Sequence, residues 1–402
     1  MILVVAIAAT ARAETGYDAW LRYAPLPAPI MARMGSVPTS VTLIGDSPLL
    51  RSARDEIVRG LSSMLATQIT TSTAPPRTST ILLGTLERIR PLVPGAPMPT
   101  DLTDDGWPDI YVVNDSVPNL LFRNKKDGTF VEEGLISGAS LSGDGRPQAG
   151  MGVDAADYNG DGLPDLIVTN FSHDYNTLYE NGPAGVFTDR SYATGIAVTA
   201  GPYLGWGVKL ADFDNDGRLD IFIVNGHVYP EVDKHGLGTR YQQQKQLFLN
   251  EGKRFRHATK EVGGGLVIEK SSRGAAFGDY DNDGDIDALV VNMNDTPTLL
   301  RNDTLRTRHW LTLRLIGTKS NRDAIGAKVI VEAGGRRQTA IVRGDGSYMS
   351  HSDVRAHFGL GEVTKVSRVE IRWPSGLVQN VEALAVDQFY VVKEGAAARA
   401  GH

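Results

Sequence analysis

Four loops rich in aspartate carry the clearest chemistry in this chain of 402 residues. Each spans nine residues, with an oxygen-bearing side chain at positions 1, 3, 5 and 9 and glycine at position 6. The loops are Asp101–Asp109, Asp157–Asp165, Asp212–Asp220 and Asp279–Asp287. Alternate side chains of a tightly turned loop can converge on one centre, and glycine permits the turn. Ca²⁺ takes about six to eight hard oxygen ligands, whereas Mg²⁺ requires a tighter octahedron, so the loops predict up to four calcium sites.

The residues that follow the loops exclude an EF-hand. That motif needs glutamate at position 12 and flanking helices. Position 12 is apolar in every loop here: Val112, Val168, Ile223 and Val290. Each loop instead runs into a short apolar strand that ends in asparagine, at Asn114, Asn170, Asn225 and Asn292. Solvated turns are also rich in Asp, Asn and Gly, but four loops in register, each followed by the same strand, favour metal binding.

The loops belong to a longer internal repeat. They begin 56, 55 and 67 residues apart, and a second shared strand follows each one, ending at Asn124, Asn181, Asn250 and Asn302. Four antiparallel strands in each repeat are typical of a β-propeller blade. The third repeat is longer because of an insertion at about residues 226–245, which we consider as a ligand-binding region. It carries His227, Tyr229, Glu231, Asp233 and His235.

The repeats resemble the FG-GAP/VCBS calcium repeats of integrin-like propellers, through the acidic loops and the glycine-rich stretches Gly150–Val153 and Gly205–Val208. The resemblance implies that the side chains at loop positions 1, 3, 5 and 9 hold calcium. In this sequence they are Asp101, Asp105, Asp109, Asp157, Asn159, Asp161, Asp165, Asp212, Asp214, Asp216, Asp220, Asp279, Asp281, Asp283 and Asp287. Thr103, at position 3 of the first loop, departs from the family pattern, so the first site is the least well supported.

The number of blades is unusual for this family, whose propellers generally have more than four. Either the chain closes a small ring, or N-terminal blades have been replaced by the segment that precedes the first loop. The abrupt junction at about residues 94–100, immediately before an acidic loop, favours replacement.

The sequence of residues 309–395 predicts a series of short β-strands. Runs such as Trp310–Leu315 and Val369–Trp373 alternate apolar and polar side chains, with glycine-rich turns between the runs. A small β-sandwich is the expected fold. The region resembles the ASPIC/UnbV domain of cartilage-acidic-protein-like chains through Ile325–Ala327, Gly346–Tyr348, His357–Gly361 and Arg372–Gly376. Arg343–Asp345 spells an integrin-binding tripeptide, but a glycine-rich hairpin explains it and no adhesion through it is expected.

The N-terminus has the features of an export signal. Residues 2–9 are apolar, and Ala11–Ala13 is a small-x-small cleavage pattern, so residues 1–13 are predicted to be a signal peptide. No stretch approaches the roughly 18 apolar residues of a transmembrane helix. Export implies a secreted or periplasmic location.

A short α/β segment follows the export signal. Val41–Ile44 predicts a strand, apolar residues from Leu50 to Leu65 recur at helical spacing, and residues 80–85 predict a returning strand. Residues 14–23 and 81–85 resemble the N-terminal domain of family 67 α-glucuronidases, which act on xylan. The catalytic carboxylates of those enzymes lie in a following TIM barrel. A barrel needs about 250 residues, and no barrel pattern follows here.

The amino-acid composition excludes several classes of function. The chain has no cysteine, which excludes disulfides, thiol catalysis and cysteine-bound metals, and its net charge of −6 argues against a nucleic-acid partner. We predict a secreted calcium-binding module that binds a protein or a polysaccharide or acts as a scaffold, with no catalytic residues. The alternative is a xylan-related glycoside hydrolase of the α-glucuronidase type, or its accessory module, which residues 14–91 alone suggest.

The predicted architecture is mainly β. A signal peptide (1–13) and a short α/β segment (14–95) precede a calcium-loop β-propeller with four recognisable blades (96–308). A small C-terminal β-sandwich (309–395) and a tail (396–402) complete the chain.

Overall fold

The computed structural model describes residues 40–46, 48–73, 81–84, 101–199, 201–303 and 307–401. The chain divides into two compact units, Met1–Val93 and Pro94–His402. The predicted signal peptide, residues 14–23 of the glucuronidase resemblance and the junction at residues 94–100 lie outside the described residues.

The first unit is a small α/β arrangement, as the hydrophobic periodicity predicts. Its parallel sheet has the order β2-β1-β3 and packs with helix α1. The elements are β1 (Ser40–Ile44), α1 (Pro48–Met64), β2 (Thr70–Ser72) and β3 (Ile81–Gly84). Proline is tolerated at the start of α1 because the first turn of a helix needs no intrahelical N–H. The core joins Val41 of β1 to Leu65 and Ile69, with Ile57 and Leu61 of α1 packed against them.

Four antiparallel sheets form the first part of the second unit, and we name them blades 1 to 4. Blade 1 contains β4 (Ile110–Val112), β5 (Leu120–Asn124) and β6 (Phe130–Glu132). Blade 2 contains β7 (Gly150–Ala156), β8 (Asp165–Asn170), β9 (Thr177–Gly182) and β10 (Val186–Asp189). Blade 3 contains β11 (Gly205–Ala211), β12 (Asp220–Asn225), β13 (Gln246–Asn250) and β14 (Phe255–His257). Blade 4 contains β15 (Ser272–Gly278), β16 (Asp287–Asn292) and β17 (Thr298–Leu300).

Short helices connect the outer strands of one blade to the next. They are α2 (Gly134–Ser137), α3 (Ser191–Thr194) and α4 (Gly264–Val267), and a 3₁₀ turn at Ile196–Thr199 follows α3. Two further 3₁₀ turns, Pro183–Gly185 and Pro230–Lys234, lie within blades 2 and 3. The inner strands β7, β11 and β15 lie side by side in consecutive blades. Consecutive antiparallel sheets of three or four strands, with the inner strands of blades 2 to 4 side by side, are a propeller-like arrangement, which confirms the predicted fold class.

The C-terminal domain (β18–β25) is a sandwich of two four-stranded sheets, also as predicted. The first sheet has the order β21-β18-β24-β25 and the second β20-β19-β22-β23. The strands are β18 (His309–Ile316), β19 (Lys328–Ala333), β20 (Arg336–Ile341), β21 (Ala356–Gly361), β22 (Val366–Arg372), β23 (Val378–Glu382), β24 (Gln388–Lys393) and β25 (Arg399–Ala400). The alternating side chains Leu311, Leu313, Val329 and Ile371 meet in its core, because inward and outward positions alternate along a strand.

The connection between β20 and β21 carries the C-terminal domain into the centre of the blades. We name residues 343–352 the central segment. The backbone of Ser347 exchanges two hydrogen bonds with Val153 of β7, at 2.7 and 3.2 Å. Its hydroxyl donates to the carbonyl of Ala275 in β15 and accepts the N–H of Val208 in β11. One residue therefore joins the inner strands of three blades.

The central segment also removes Arg343 from solvent. Its guanidinium forms an ion pair with the fully buried Asp154 of β7, and Lys209 lies 3.5 Å from the same carboxylate. Only 12% of the Arg343 side chain is exposed. Arg343 of the Arg-Gly-Asp tripeptide therefore serves the packing of this structure.

A buried carboxylate holds together the turns of the C-terminal domain. Glu394 accepts the backbone N–H groups of Thr318, Lys319 and Ser320 at 2.7 to 2.8 Å, and the hydroxyls of Ser320 and Ser375. Burial by itself would raise the pKa of Glu394, but these hydrogen bonds outweigh it and lower the pKa to about 2.

We expect Glu394→Gln to destabilise the protein at neutral pH and to weaken its acid sensitivity. Because the folded pKa lies below the ordinary value of 4.5, the carboxylate stabilises the fold above about pH 4.5 and loses this effect as the pH falls toward 2. The loss is at most about 3 kcal/mol. Urea unfolding of both proteins between pH 7 and pH 3 measures it, with the exposed Glu382→Gln as control. Parallel pH profiles for wild type and Glu394→Gln would contradict the assignment.

Candidate metal centre

The aspartate at position 9 of each loop fastens the loop to its blade. One carboxylate oxygen accepts the N–H of loop position 2, and the other accepts the N–H of an asparagine near the end of the next strand. In blade 3, Asp220 accepts from Phe213 at 2.9 Å and from Asn250 at 2.8 Å. The same pair of bonds recurs at Asp109, Asp165 and Asp287. These four aspartates, predicted as metal ligands, therefore also hold the backbone in place.

The aspartate at position 1 shapes the turn. Its two oxygens accept the N–H groups of positions 5 and 6, as Asp212 does from Asp216 at 3.1 Å and from Gly217 at 2.7 Å. Asp101, Asp157 and Asp279 repeat this pattern. The glycines at position 6 have φ between 84° and 95°, in the left-handed region that favours glycine. The spacing that the four loops share thus has a conformational cause.

Carboxylates at positions 1, 3 and 5 converge in the third and fourth loops. One oxygen atom from each of the three lies within 4.8 Å of the others in both loops. The clusters are Asp212, Asp214 and Asp216 in loop 3 and Asp279, Asp281 and Asp283 in loop 4. Such spacing suits three ligands of one cation.

The first two loops offer fewer carboxylates. In loop 2, the amide of Asn159 donates to Asp161 at 3.2 Å, and both side chains are exposed. In loop 1, position 3 is Thr103, whose hydroxyl is buried without a hydrogen-bond partner. Lys126 lies 3.3 Å from Asp105 in that loop and partly neutralises it. The structure therefore separates two loops with three converging carboxylates from two loops with weaker donor sets.

Burial makes the charged form of these loops costly. Burial, together with the neighbouring Asp216, raises the pKa of Asp212 to about 8. Burial likewise raises the pKa of Asp165 to about 8 and that of Asp220 above its ordinary value. Positive charge nearby offsets part of the repulsion, because Arg308 lies 2.7 Å from Asp214 and Arg218 pairs with Asp216.

The C-terminal domain covers loops 3 and 4. His357 of β21 lies 2.8 Å from the side-chain oxygen of Asn215, whose amide donates to Asp285 of loop 4 at 2.8 Å. The N–H of Gly361 donates to the carbonyl of Asn215. Arg355 donates to Asn282 at 2.7 Å and to the carbonyl of Asp279. The C-terminal domain thus contacts both loops through hydrogen bonds.

Glycines permit this close contact. A Cβ on Gly359 would lie 2.0 Å from a carboxylate oxygen of Asp212, and one on Gly284 would lie 2.0 Å from the ring of Trp310. From the sequence, His357 and Gly359 serve only to mark the ASPIC/UnbV resemblance. Both lie in the His357–Gly361 motif, but the motif does not reveal that it packs on a loop more than 140 positions away in the sequence.

The insertion of blade 3 lies after β12, at the end opposite the metal loops. His227 is buried, with its ring 5.3 Å from Phe171, and its Nδ1 accepts the N–H of Tyr229. Asp233 accepts the N–H of Tyr241 at 2.9 Å. The side chains of Tyr229, Glu231 and His235 are exposed. The structure therefore uses two of the five named side chains, His227 and Asp233, in local folding and leaves the other three open to solvent.

Comparison with known families agrees with the order of these elements. Residues 101–168 and 157–223 match the FG-GAP-like repeat, residues 317–399 match ASPIC and UnbV, and residues 19–114 match the glycosyl hydrolase family 67 N-terminus. This chain carries FG-GAP-like repeats followed by an ASPIC and UnbV domain. The three resemblances inferred from the sequence are thereby confirmed. The repeat matches include loops 1 to 3, and loop 4 follows from the shared pattern and geometry.

The chain is also similar to cartilage acidic protein 1. It is 30% identical to the Xenopus tropicalis protein over 281 residues, which cover 67% of this chain and 40% of the relative. The Homo sapiens protein is 30% identical over 277 residues, covering 67% of this chain and 39% of the relative. This chain therefore spans about two fifths of the length of these curated relatives.

Among solved structures, the Tc holotoxin pore of Photorhabdus luminescens matches 68% of this chain and 12% of its own, at 17% identity. The TM-score is 0.31, which is too low to indicate a shared fold. The similarity to the FG-GAP-like and ASPIC and UnbV families is therefore the informative one.

We expect Gly359→Ala to loosen the C-terminal domain from loop 3. The added Cβ would also lie 2.6 Å from the Cα of Asn215, so backbone must move. Overpacking of this kind costs about 1–3 kcal/mol. Chemical unfolding measures the loss of free energy, and Gly264→Ala is the matched control because nothing lies within 4 Å of a Cβ there. Equal stability of the two variants would show that the contact is dispensable.

Proposed function

We propose that this protein is a secreted calcium-binding β-propeller that serves as a binding or scaffold module for a protein or a polysaccharide. The observation that carries the proposal is the convergence of three carboxylates in loops 3 and 4. Three like charges within 4.8 Å repel one another, and a divalent cation bound between them converts that repulsion into attraction.

The donor set fits a hard cation. Asp214 has a buried oxygen, Oδ1, without a hydrogen-bond partner, as expected of an atom that completes its coordination with a ligand. All side-chain donors of loop 3 are carboxylates, which Ca²⁺ and Mg²⁺ prefer over soft metals. Carboxylates at alternate positions of a flexible loop favour Ca²⁺, because Mg²⁺ keeps most of its water and needs stricter geometry.

The four loops should differ in affinity. Loops 3 and 4 offer carboxylates at positions 1, 3 and 5, loop 2 replaces one with Asn159, and loop 1 replaces one with Thr103. Fewer charged ligands weaken binding. The remaining predicted ligands at position 9 keep an oxygen lone pair for the cation while they accept backbone N–H groups.

The proposal also covers the location and the partners of the protein. Secretion rests on the sequence of residues 1–13. No helix in the described part of the chain is long and apolar enough to cross a bilayer. A protein or polysaccharide partner is supported by the exposed polar and aromatic side chains of the blade 3 insertion, Tyr229 among them. The net charge of −6 disfavours a nucleic acid.

A role in xylan metabolism is the second candidate, because residues 19–114 match the glycosyl hydrolase family 67 N-terminus. That match assigns no catalytic residue, so an accessory role is the form that we consider. Incubation of the protein with an aldouronic oligosaccharide and measurement of free glucuronic acid tests the enzymatic form. Release of the sugar by the purified chain would establish it.

Removal of calcium ligands should abolish calcium-dependent stabilisation. We expect wild type to melt at a higher temperature in CaCl₂ than in EGTA, and each occupied site to add about 2.7 kcal/mol at a hundredfold excess over its Kd. The double variant Asp216→Ala and Asp283→Ala should lose most of this difference. Calorimetric titration with Ca²⁺ should show correspondingly fewer tight sites.

The control for the calcium experiment is Asp127→Asn, which removes an exposed carboxylate that contacts Thr129 outside the loops. MgCl₂ in place of CaCl₂ tests the choice of metal. A calcium-dependent shift that is unchanged in the double variant would refute the assignment of the ligands.

A further inference from the structure

The middle strand of an inner blade alternates its side chains between the two neighbouring blades. In β12 of blade 3, Ile221 and Ile223 pack against blade 2. Phe222 and Val224 of the same strand pack against blade 4. Counted from the first residue of the metal loop, Ile221 and Ile223 occupy positions 10 and 12. Phe222 and Val224 occupy positions 11 and 13. At each junction, positions 10 and 12 of one blade face positions 11 and 13 of the preceding blade.

This register leaves one apolar face open at each end of the described blades. Leu289 and Val291 of β16 occupy positions 11 and 13 of blade 4, but they are 48% and 53% exposed. Ile110 occupies position 10 of blade 1 and is 44% exposed, and Val112 at position 12 is partly exposed. The equivalent side chains at the three internal junctions are buried or packed in the shared clusters. The two open faces are therefore the two halves of one further junction.

A hydrogen bond repeats with the same register. In blades 2 to 4, the asparagine whose N–H binds the position 9 aspartate also donates its side-chain amide to the carbonyl at loop position 2 of the preceding blade. Asn181 donates to Leu102 at 2.8 Å and Asn250 to Tyr158 at 3.1 Å. Asn302 of blade 4 continues the series, donating to Phe213 of blade 3 at 2.8 Å.

Blades 1 and 4 lack complementary halves of this hydrogen bond. In blade 1, the side-chain amide of Asn124 donates to Pro108 of its own blade, and among the described residues it reaches no preceding loop. In blade 4, no such amide from the described chain reaches the carbonyl of Tyr280 at position 2. Within the described residues, an open donor thus remains on the blade 1 face and an open acceptor on the blade 4 face.

We propose that two copies of this chain associate head to tail, with blade 4 of each copy packed against blade 1 of the other. A second copy supplies the apolar side chains and the hydrogen-bonding partner that each end face of the first copy lacks. A heterologous contact of this kind forms a closed assembly when the rotation between copies permits it. Two copies bring together eight of these blades, within the range of about four to eight in closed propellers.

The C-terminal domain borders part of the blade 4 face, where Leu289 and Val291 stay about half exposed. A cavity of about 540 Å³ lies between Leu289 and Leu299 on the blade side and Phe389 and Tyr390 on the domain side. The domain therefore stands over part of this face without filling it. The association depends on side chains outside the metal loops, so it can be tested separately from calcium binding.

Sedimentation velocity over a wide range of concentrations tests the association. We expect wild type to reach twice the mass of one chain, and Leu289→Lys to fall to the mass of one chain because a charge would be buried at the junction. Val186→Lys is the matched control: Val186 is 54% exposed on the outer strand of blade 2, away from both end faces. Circular dichroism confirms that each variant is folded.

A pair of opposite charges tests the head-to-tail direction. Ile110→Asp alone should also give single chains. A mixture of Leu289→Lys with Ile110→Asp should recover the doubled mass, because lysine meets aspartate at one junction and the other junction is native. Single chains in wild type at every concentration, a doubled mass in Ile110→Asp, or no recovery in the mixture would each overturn the proposal.

Discussion

The carboxylate at position 9 of each acidic loop is the interaction on which the blades depend. It closes the loop by accepting the N–H of position 2 and fixes the next hairpin by accepting the N–H of its terminal asparagine, as Asp287 does from Asn302. That asparagine then donates to the loop of the preceding blade. One charged side chain per repeat therefore sets the loop, the register of the blade and the spacing of neighbouring blades.

This hydrogen bonding explains why the aspartates are buried although burial disfavours their charged form. Burial raises the pKa of Asp220, yet its two oxygens satisfy backbone N–H groups that would otherwise be buried without partners. The loops also receive external support from the C-terminal domain. His357 and Arg355 reach loops 3 and 4, and Ser347 joins three inner strands. The propeller-like part and the sandwich thus stabilise each other through a few polar contacts.

Much of the fold followed from local patterns. The loop spacing, the strands after each loop and the alternation in β18 or β22 are periodic, and periodicity reports which side of an element is buried. The site was only partly accessible in this way. The sequence indicated oxygen donors at four positions per loop, but the structure brings positions 1, 3 and 5 together and gives position 9 a second role. Arg308 lies far from Asp214 in sequence, so spacing alone could not place it beside the site.

The sequence by itself determined the local chemistry: acidic loops with glycine where φ must be positive, apolar strands after them, and the order of the families. These features depend on residues within about ten positions of one another in the sequence. The local backbone conformation fixes the directions of their side chains. Only the tertiary structure decided which loops gather three carboxylates under the C-terminal domain, where the central segment enters, and which faces of blades 1 and 4 stay open. Those outcomes depend on contacts between distant segments, such as Gly359 against Asp212. Close packing selects such contacts, and sequence spacing does not encode them.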